Sequence, residues 1–314
     1  VIYTGEQLER YLTEVCGFSL MYRGKVRDVY RINSHQLLVV ATDRVSVYDF
    51  NLGDTIVGKG EILTAFTHFW THFLKKRFSE LLTDFEKSEN MQYPQFNAVY
   101  DLHLKYPGIP IERCLVVRNE CGKLDPFEMI FRSHIGGSIY DEYIETGMLA
   151  GETITPNLPK WSYLGRPFFC PSTKEHWKHD TNVPASYYFN YGGYPGTVFV
   201  TQCLTKICQS MYEHTKECGL VMFDTKLETS LGNWMVVDEI GTPDSTRYGE
   251  LLNWEKAMQG KESLRFLDKQ IVRDWASKAP ITFENKIVRI KDLDPAREDH
   301  RQAVKELKVP GELH

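Results

Sequence analysis

The stretch VMFDTKLETSLGNWMVVDEI, residues 221–240, has the pattern of a β-hairpin but carries charges inside its strands. Two apolar runs, 220–223 and 234–237, flank a polar segment containing Gly232, which is typical of a turn between paired strands. Asp224, Lys226 and Glu228 alternate in the first strand. Side chains two residues apart share a face of a strand. We therefore predict a paired strand with one charged face.

The register of this hairpin decides which acidic residues join the charged face. A turn centred on Gly232 places Asp238 opposite Lys226, whereas a shift by one residue sends Asp238 to the other face. The centred register gathers two or three carboxylates and an ammonium, a set that suits Mg²⁺ bound to substrate phosphates. A solvated strand face with cross-strand ion pairs accounts for the same pattern. The sequence leaves both interpretations open.

Composition narrows the class of protein. The 314 residues are 42% hydrophobic and carry a net charge of -5, which gives no basic surface for nucleic acid. The 7 cysteines form no CxxC pair, so we expect reduced, mostly buried thiols. The most apolar helical stretch, 62–74, is too short to span a membrane, and the N-terminal residues lack the pattern of a signal peptide. We expect a soluble, cytoplasmic protein.

Helical and strand patterns occur in mixed order along the chain, which predicts an α+β fold. We expect the Pro- and Gly-rich stretch 151–171 to be a loop. From residue 137 onward, we expect helices at 137–147, 200–218, 263–277 and 296–307.

Two further segments carry residues typical of anion sites. Gly24, with Lys25 and Arg27 beside it, lets the backbone approach a phosphate, although an exposed basic hairpin explains the pattern equally. The segment 132–138 runs from a strand into a helix and supplies Arg132, Ser138 and free helix N–H groups. A plain turn with a serine N-cap is the alternative there.

Two loops complete the candidate sites. PSTK, residues 171–174, precedes His176, His179 and Asp180; HxxHD is a weak metal pattern, and surface histidines explain it as well. TPDSTR, residues 242–247, ends in Arg247 and is also compatible with an ordinary turn. Each segment is ambiguous by itself.

Taken together and in order, these segments resemble the SAICAR synthetase family. The motifs that carry the resemblance span roughly residues 20 to 280. They are GKVRDVY (24–30), ATDRVSVYD (41–49), GKG (58–60), FExxxRxxxxGS (127–138), PSTK with HD (171–180), DTKLE (224–228), DE with TPDSTR (238–247) and DKQIVRDW (268–275).

The resemblance implies an ATP-dependent ligase of purine biosynthesis. Such an enzyme joins the carboxylate of carboxyaminoimidazole ribotide to the amine of L-aspartate and splits ATP to ADP and phosphate. It also implies a two-portion α+β fold whose β-rich front part is similar to a kinase small lobe, with ATP in the cleft. The corresponding domains are an ATP-binding domain at 1–115, a substrate and metal domain at 116–290, and a helical tail at 291–314.

The resemblance also assigns roles to particular residues. The ATP ligands would be Lys25, Arg27 and Lys174. The ribotide ligands would be Arg132, Ser138 and Arg247 at the 5′-phosphate, with Ser46 and Asp49 at its border. The catalytic residues would be Lys226, Asp180 and Asp224, and the Mg²⁺ ligands would be Glu228 and Asp238. The partners implied are small-molecule substrates, without nucleic acid or membrane, and the sequence leaves the oligomeric state open, a homo-oligomer included.

The chain departs from the family pattern at a few positions. Thr229 and Ser230 replace the usual Phe and Gly, Gly136 replaces a Thr or Ala, and Thr181 replaces an acidic residue. Val57 stands where a proline is usual. The changes at 181 and 229–230 motivate an alternative, a paralogous ligase with a different amine or carboxylate. A catalytically silent nucleotide-binding protein would have lost the acidic residues, which are present here, and a kinase would carry HRD and DFG triplets, which are absent from the sequence.

Overall fold

The computed structural model describes residues 5–81, 95–119, 124–174, 181–231 and 234–313. The chain divides into two compact units. The first comprises Val1–Thr71, Gln92–Cys121 and Ile271–His314, and the second comprises His72–Met91 and Gly122–Gln270. Compact units need not coincide with domains. The domain bounds predicted from the sequence, 1–115, 116–290 and 291–314, therefore stay a prediction. The mixed helices and sheets confirm the α+β class.

The first unit contains a four-stranded antiparallel sheet and two smaller hairpins. The four strands, in spatial order, are Ser19–Arg23, Arg27–Arg31, Gln36–Ala41 and Cys114–Arg118. The hairpins pair Arg44–Val47 with Phe50–Thr55, and Ile281–Phe283 with Lys286–Val288. The helical segments of this part are Gly5–Arg10, Tyr11–Val15, Phe96–Lys105, Ile111–Arg113, Ile290–Asp292, Glu298–Lys305 and Gly311–Leu313. The helix Lys59–Leu81 passes from the first unit into the second after Thr71, and the helix Gln270–Ala276 begins at the last residue of the second unit.

Two apolar clusters hold the first unit together. One face of the four-stranded sheet, including Tyr30, Leu38 and Val116, packs on the N-terminal helical residues. The second cluster joins the hairpin 44–55 to the C-terminal segment. The helix expected at 296–307 is present as Glu298–Lys305, and it approaches the hairpin so closely that a Cβ on Gly53 would lie 1.8 Å from the carbonyl oxygen of Lys305. The C-terminal segment is therefore part of the core of this unit.

The second unit is built around one long strand, Leu220–Ser230, which we call the central strand. It pairs antiparallel with Phe127–His134, called here the neighbour strand, and also with Met235–Val237 and Thr246–Glu250. Three shorter strands extend the sheet beyond the neighbour strand: Tyr163–Phe169, Ser172–Thr173 and Thr181–Asn182. A separate two-stranded hairpin joins Met148–Leu149 to Glu152–Thr153. The helical segments are Ser138–Thr146, Ala185–Val198, Phe199–Leu204, Thr205–Glu217 and Leu251–Met258.

Several expected elements differ from those observed. The helix expected at 137–147 is present at Ser138–Thr146, but the stretch 151–171 is not all loop, since Tyr163–Phe169 pairs with the neighbour strand. The helix expected at 200–218 is preceded by Ala185–Val198, in which Gly193 has a non-helical φ of 60° and Pro195 follows. The helix expected at 263–277 is confined to Gln270–Ala276. Tertiary contacts outweighed local composition in these segments.

Most of the described cysteines are buried, as expected from composition. Among the described residues, 16, 114, 170, 203, 208 and 218 are free cysteines, and only the last of these is exposed. Burial raises the pKa of Cys16 to about 11 and that of Cys170 to about 12, which makes these thiols inert at neutral pH. Within the described ranges, no helix is both long and apolar enough to cross a membrane.

Candidate active site

The central strand has one apolar face and one charged face, as its alternation predicts. Phe223, Thr225 and Leu227 are fully buried. Asp224, Lys226 and Glu228 project from the opposite face. The neighbour strand pairs Arg132 with Asp224 and continues in register toward Glu128, so its polar side chains join the same face. The second unit therefore presents a row of alternating charges across two paired strands.

One end of this row is a buried cluster of two arginines around one carboxylate, which we call the arginine cluster (Arg132, Asp224 and Arg247). Nη1 of Arg132 donates to Oδ2 of Asp224 at 2.9 Å, and Nε of Arg247 donates to Oδ1 at 2.9 Å. Nη2 of Arg247 also donates to Oδ2. Two guanidinium groups against one carboxylate leave a net positive charge, which favours binding of an anion.

A glycine pair brings backbone close to the arginine cluster. Gly137 has a φ of 69°, and a Cβ built on it would lie 2.6 Å from Nη2 of Arg247. The helix that follows begins at Ser138, so its first N–H groups start beside the arginines. Helix N-termini with free N–H groups favour phosphate. The side chain of Ser138 lies outside what the structure describes.

Lys226 occupies the middle of the charged face. Its Nζ lies 2.6 Å from Oε1 of Glu128, and its side chain is 35% exposed. Burial alone would lower the pKa of Lys226, but the carboxylates of Glu128 and Glu228, with a smaller contribution from Glu239, raise it above the ordinary value. Lys226 is therefore a fixed ammonium at neutral pH, available to interact with developing negative charge.

Lys174 closes the other end of the row. Its Nζ lies 2.8 Å from Oε2 of Glu228, with both side chains about a quarter exposed, at 26% and 23%. The Lys174 N–H donates to the carbonyl of Pro126 at 2.8 Å, which fixes this residue beside the neighbour strand. Asp180 and the histidines of the HD segment lie outside the described residues. Thr181 begins a short strand that pairs with Ser172–Thr173.

The centred hairpin register is wrong by one residue. Glu228 pairs with Val237 and Ser230 pairs with Met235, so continuation of the ladder places Glu239, not Asp238, opposite Lys226. The strand ends at Val237, and Asp238 is exposed with a φ of 67°. Continuation of the ladder would place Asp238 opposite the buried Leu227, so the observed register does not bring Asp238 onto the charged face.

The acidic residues fit a magnesium ion only if substrate supplies further ligands. Across 5–81, 95–119, 124–174, 181–231 and 234–313, no group of three or more His, Cys, Asp or Glu side chains is arranged to hold a metal ion. Mg²⁺ is usually held by one or two carboxylates together with phosphate oxygens and water. Glu228, part exposed on the charged face, has the right chemistry for such a site, and Asp238 is an exposed carboxylate just beyond the end of the paired strand.

The candidate residues of the first unit also meet one another. Nζ of Lys25 lies 2.5 Å from Oδ1 of Asp49, with the side chains 56% and 32% exposed. Asp49 has a φ of 66° in the turn between the strands of the hairpin 44–55, and Ser46 is buried in the same hairpin. The structure therefore brings together a residue expected to bind ATP and one expected to border the ribotide.

Arg44 makes the basic turn rigid. Its guanidinium donates to both oxygens of Asp28, at 2.7 and 3.1 Å, and to the carbonyls of Gly24 and Lys25, at 2.9 and 3.2 Å. The Gly24 N–H donates to the carbonyl of Arg27 at 2.7 Å, where a Cβ on residue 24 would be too close. Gly24 is thus required by a close approach of the backbone, which agrees with a shaped loop rather than a loose hairpin.

Sequence reasoning missed two acidic residues of the charged face. Glu128 contacts Lys226 directly, and Glu239 contributes to the raised pKa of that lysine. Glu128 could have been found, because it alternates with Arg132 in a strand expected to be paired. Glu239 could not, since its position depends on the hairpin register.

Comparisons with known proteins place these observations in context. The chain matches the SAICAR synthetase family over residues 20–290. It is 32% identical to the phosphoribosylaminoimidazole-succinocarboxamide synthase of Saccharomyces cerevisiae over 90% of this chain and 91% of that protein. It is 34% identical to the protein of the same name from Elusimicrobium minutum, over 82% and 84%. A solved SAICAR synthase from Saccharomyces cerevisiae, complexed with SAICAR, has a TM-score of 0.65 and 28% identity and covers 93% of this chain and 96% of that one.

Proposed function

Because the chain belongs to the SAICAR synthetase family, we propose that it joins carboxyaminoimidazole ribotide to L-aspartate with the splitting of ATP. The product is the succinocarboxamide ribotide, and the reaction belongs to purine biosynthesis. The observation that carries the proposal at the level of the site is the charged face of the central strand, where Lys226 lies between the arginine cluster and the Lys174–Glu228 pair. A different amine or carboxylate is not favoured, since the relatives compared above share one named activity.

The arginine cluster would bind the 5′-phosphate of the ribotide. Arg132 and Arg247 supply bidentate guanidinium groups, and the helix that starts at Ser138 supplies backbone N–H groups. Asp224 was expected to be catalytic, but both of its oxygens accept from arginines. We assign it a positioning role, in which it orients the two guanidinium groups before the phosphate arrives.

Lys226 would act where the phosphoryl group is transferred. Phosphoryl transfer depends on positioning and on neutralisation of negative charge more than on covalent chemistry by the enzyme. Burial alone would lower the pKa of Lys226, but the carboxylates of Glu128 and Glu228 raise it, which keeps the ammonium charged. Glu228 and Asp238 would hold Mg²⁺, which when bound neutralises charge on the phosphate oxygens. Lys174, and Asp180 in the undescribed segment, would lie beside the nucleotide and the amino acid.

The first unit would contribute to ATP and ribotide binding. Lys25 and Arg27 supply positive charge on a turn that Arg44 holds rigid, which suits the phosphates of ATP. Ser46 and Asp49, in the adjoining hairpin, would border the ribotide. The cytoplasmic location, the oligomeric state and the position of ATP stay predictions.

The chemical sequence follows from the weakness of a carboxylate as an electrophile. A carboxylate oxygen of the ribotide attacks the γ-phosphorus of ATP, ADP leaves, and an acyl phosphate forms. The aspartate amine then attacks the acyl carbon, inorganic phosphate leaves with the carbon–oxygen electron pair, and the amine nitrogen loses a proton to give the amide. Holding the two reactants at contact distance supplies much of the acceleration.

The test is ADP production from Mg-ATP and carboxyaminoimidazole ribotide, with and without L-aspartate, with the product identified by mass. We expect aspartate-dependent turnover, and Glu228→Gln should abolish it. Glu217→Gln is the matched control, because Glu217 is an exposed glutamate at a helix end, and it should leave turnover unchanged. Turnover that proceeds with another amine but not with aspartate would contradict the proposal.

A further inference from the structure

A tryptophan beside the arginine cluster has an unusual backbone conformation. Trp161 has a φ of 71°, which non-glycine residues rarely adopt. Its backbone is held on two sides: its N–H donates to the carbonyl of Ile135 at 2.6 Å, and its own carbonyl accepts from Nε1 of Trp254 at 2.9 Å. Surrounding contacts keep this bulky residue at a positive φ, which indicates that its side chain must occupy one particular position.

The indole of Trp161 lies against Arg247. The centre of the Arg247 guanidinium is 5.1 Å from the centroid of the Trp161 ring, which is a cation–π contact. On its other edges the ring meets Phe223 and Phe266, both with centroids at 5.2 Å. The indole is therefore wedged between a buried aromatic group and the arginine.

Gly136 is matched to this indole. A Cβ built on Gly136 would lie 2.2 Å from Cζ3 of Trp161, closer than any real contact. The Gly136 carbonyl also accepts from Nη1 of Arg132 at 3.4 Å. The ring of Trp161 thus occupies the space that a side chain at position 136 would need, immediately before the helix that begins at Ser138.

We propose that Trp161 is a positioning residue for the ribotide, holding the Arg247 guanidinium in its phosphate-binding orientation, and that Gly136 is required in order to admit it. The proposal rests on the proposed function, since it assigns a role within the phosphate site of that reaction. Asp224 fixes the Arg247 guanidinium through hydrogen bonds at its edge, and Trp161 fixes it through its face. Together they restrict the guanidinium group before the phosphate binds, so that little side-chain conformational entropy is lost on binding.

Steady-state kinetics of single variants make the first test. Trp161→Ala should raise the KM for the ribotide about fivefold, as expected for loss of a cation–π contact, with kcat and the KM for ATP changed by less than about twofold. Trp161→Phe keeps an aromatic face and should stay within about twofold of wild type. Phe283→Leu, which breaks the contact of Phe283 with Arg297 at 6.0 Å in the first unit, is the matched control and should leave the ribotide KM unchanged.

A double variant tests the link between positions 136 and 161. Gly136→Ala should raise the ribotide KM at least as much as Trp161→Ala, because the added methyl group must displace the indole. In the Trp161→Gly background the same Gly136→Ala change should have no further effect, since the ring is gone. Additive effects of the two changes would contradict the proposed pairing.

A binding measurement separates this proposal from the proposed function. Calorimetric titration with ribose 5-phosphate should show weaker binding to Trp161→Ala than to wild type and Trp161→Phe. If wild type binds ribose 5-phosphate but shows no aspartate-dependent turnover, the proposed function fails while the role of Trp161 is still decided by this titration. Equal binding by wild type and Trp161→Ala, or no binding by wild type, would overturn the role given to Trp161.

Discussion

The arginine cluster of the second unit and the Lys25–Asp49 pair of the first unit are both contacts between opposite charges, yet they differ in burial. The side chains of Arg132 and Asp224 are 4% and 9% exposed, whereas those of Lys25 and Asp49 are 56% and 32% exposed. Buried charges cost much to leave unpaired, while exposed pairs are screened by water and salt. The cluster is consequently a fixed part of the fold, and the pair is a contact that a ligand can replace.

This difference assigns separate tasks to the two regions. A prearranged cluster binds a phosphate without reorganising, because its guanidinium groups are already oriented. An exposed lysine on a rigid turn can exchange a protein carboxylate for a nucleotide phosphate at little energetic cost.

The largest expected effect is on stability, from the loss of the carboxylate between the two arginines. Asp224→Asn removes the carboxylate that lies between the buried Arg132 and the largely buried Arg247, and it should lower the free energy of unfolding by about 3–5 kcal/mol. Urea denaturation followed by circular dichroism measures the change. Asp49→Asn is the matched control and should cost less than about 1 kcal/mol. Similar losses for both variants would remove the contrast.

The next effect is on catalysis, at the centre of the charged face. Lys226→Met keeps the length of the side chain but removes its charge, and kcat should fall by about 10²- to 10³-fold, as when one preorganised donor is lost from an active site. Lys256→Met is the control, because Lys256 also meets a glutamate, Glu262 at 2.8 Å, but is 53% exposed. We expect the control to retain wild-type kcat. A loss of less than about fivefold in Lys226→Met would argue against its catalytic role.

Asp268 is a buried carboxyl that accepts hydrogen bonds from the backbone N–H groups of Tyr248 and Gln270. Burial raises the pKa of Asp268 from 3.8 to about 6, although the N–H groups of Gln270 and Tyr248 and the charge of Arg247 oppose the shift. The folded state thus binds the proton more tightly than the unfolded state. The stabilisation from this proton is fully present below about pH 4 and is lost as the pH rises through about 6.

Comparison with Asp268→Asn isolates this contribution. Relative to the variant, the wild type should lose about 2–3 kcal/mol of unfolding free energy between pH 4 and 7. Urea titrations of both proteins at intervals across this range provide the measurement. A difference that does not vary with pH would mean that Asp268 has the same pKa in the folded and unfolded states.

The charged face shows how far sequence reasoning can go. Alternation within the strand correctly placed Asp224, Lys226 and Glu228 on one face, because this depends only on the period of a strand. The hairpin register could not be predicted, because it depends on distant packing. The Trp234 indole meets Gly196 of the helix Ala185–Val198, where a Cβ would be 3.0 Å from the ring, and this contact lies far from the turn in sequence.

The same distinction holds for whole elements and for the site. Motifs in family order led to the correct family and fold class, since they are read directly from the sequence. The helix Ala185–Val198 could not be predicted from a stretch with two adjacent glycines and a proline, because the contacts of Tyr188 with Phe127 and Asp125 favour it only in the folded unit. Likewise, the overlap of Gly136 with Trp161 joins residues 25 positions apart in different elements.

The smallest expected effect is the coupling within the exposed pair. A double-mutant cycle with Lys25→Met and Asp49→Asn should give a coupling energy of about 0.2–1 kcal/mol, falling toward zero in about 1 M salt, where the Debye length is about 3 Å. A cycle between Arg132→Met and Asp224→Asn should give a larger coupling that changes little with salt, because those charges are shielded from solvent. If the Lys25–Asp49 coupling were as large and as insensitive to salt, the pair would have to be released at a substantial energetic cost before Lys25 could bind a nucleotide phosphate. Its role would then be to hold the turn of the hairpin 44–55 in place, and Arg27 would remain as the ligand for ATP in that unit.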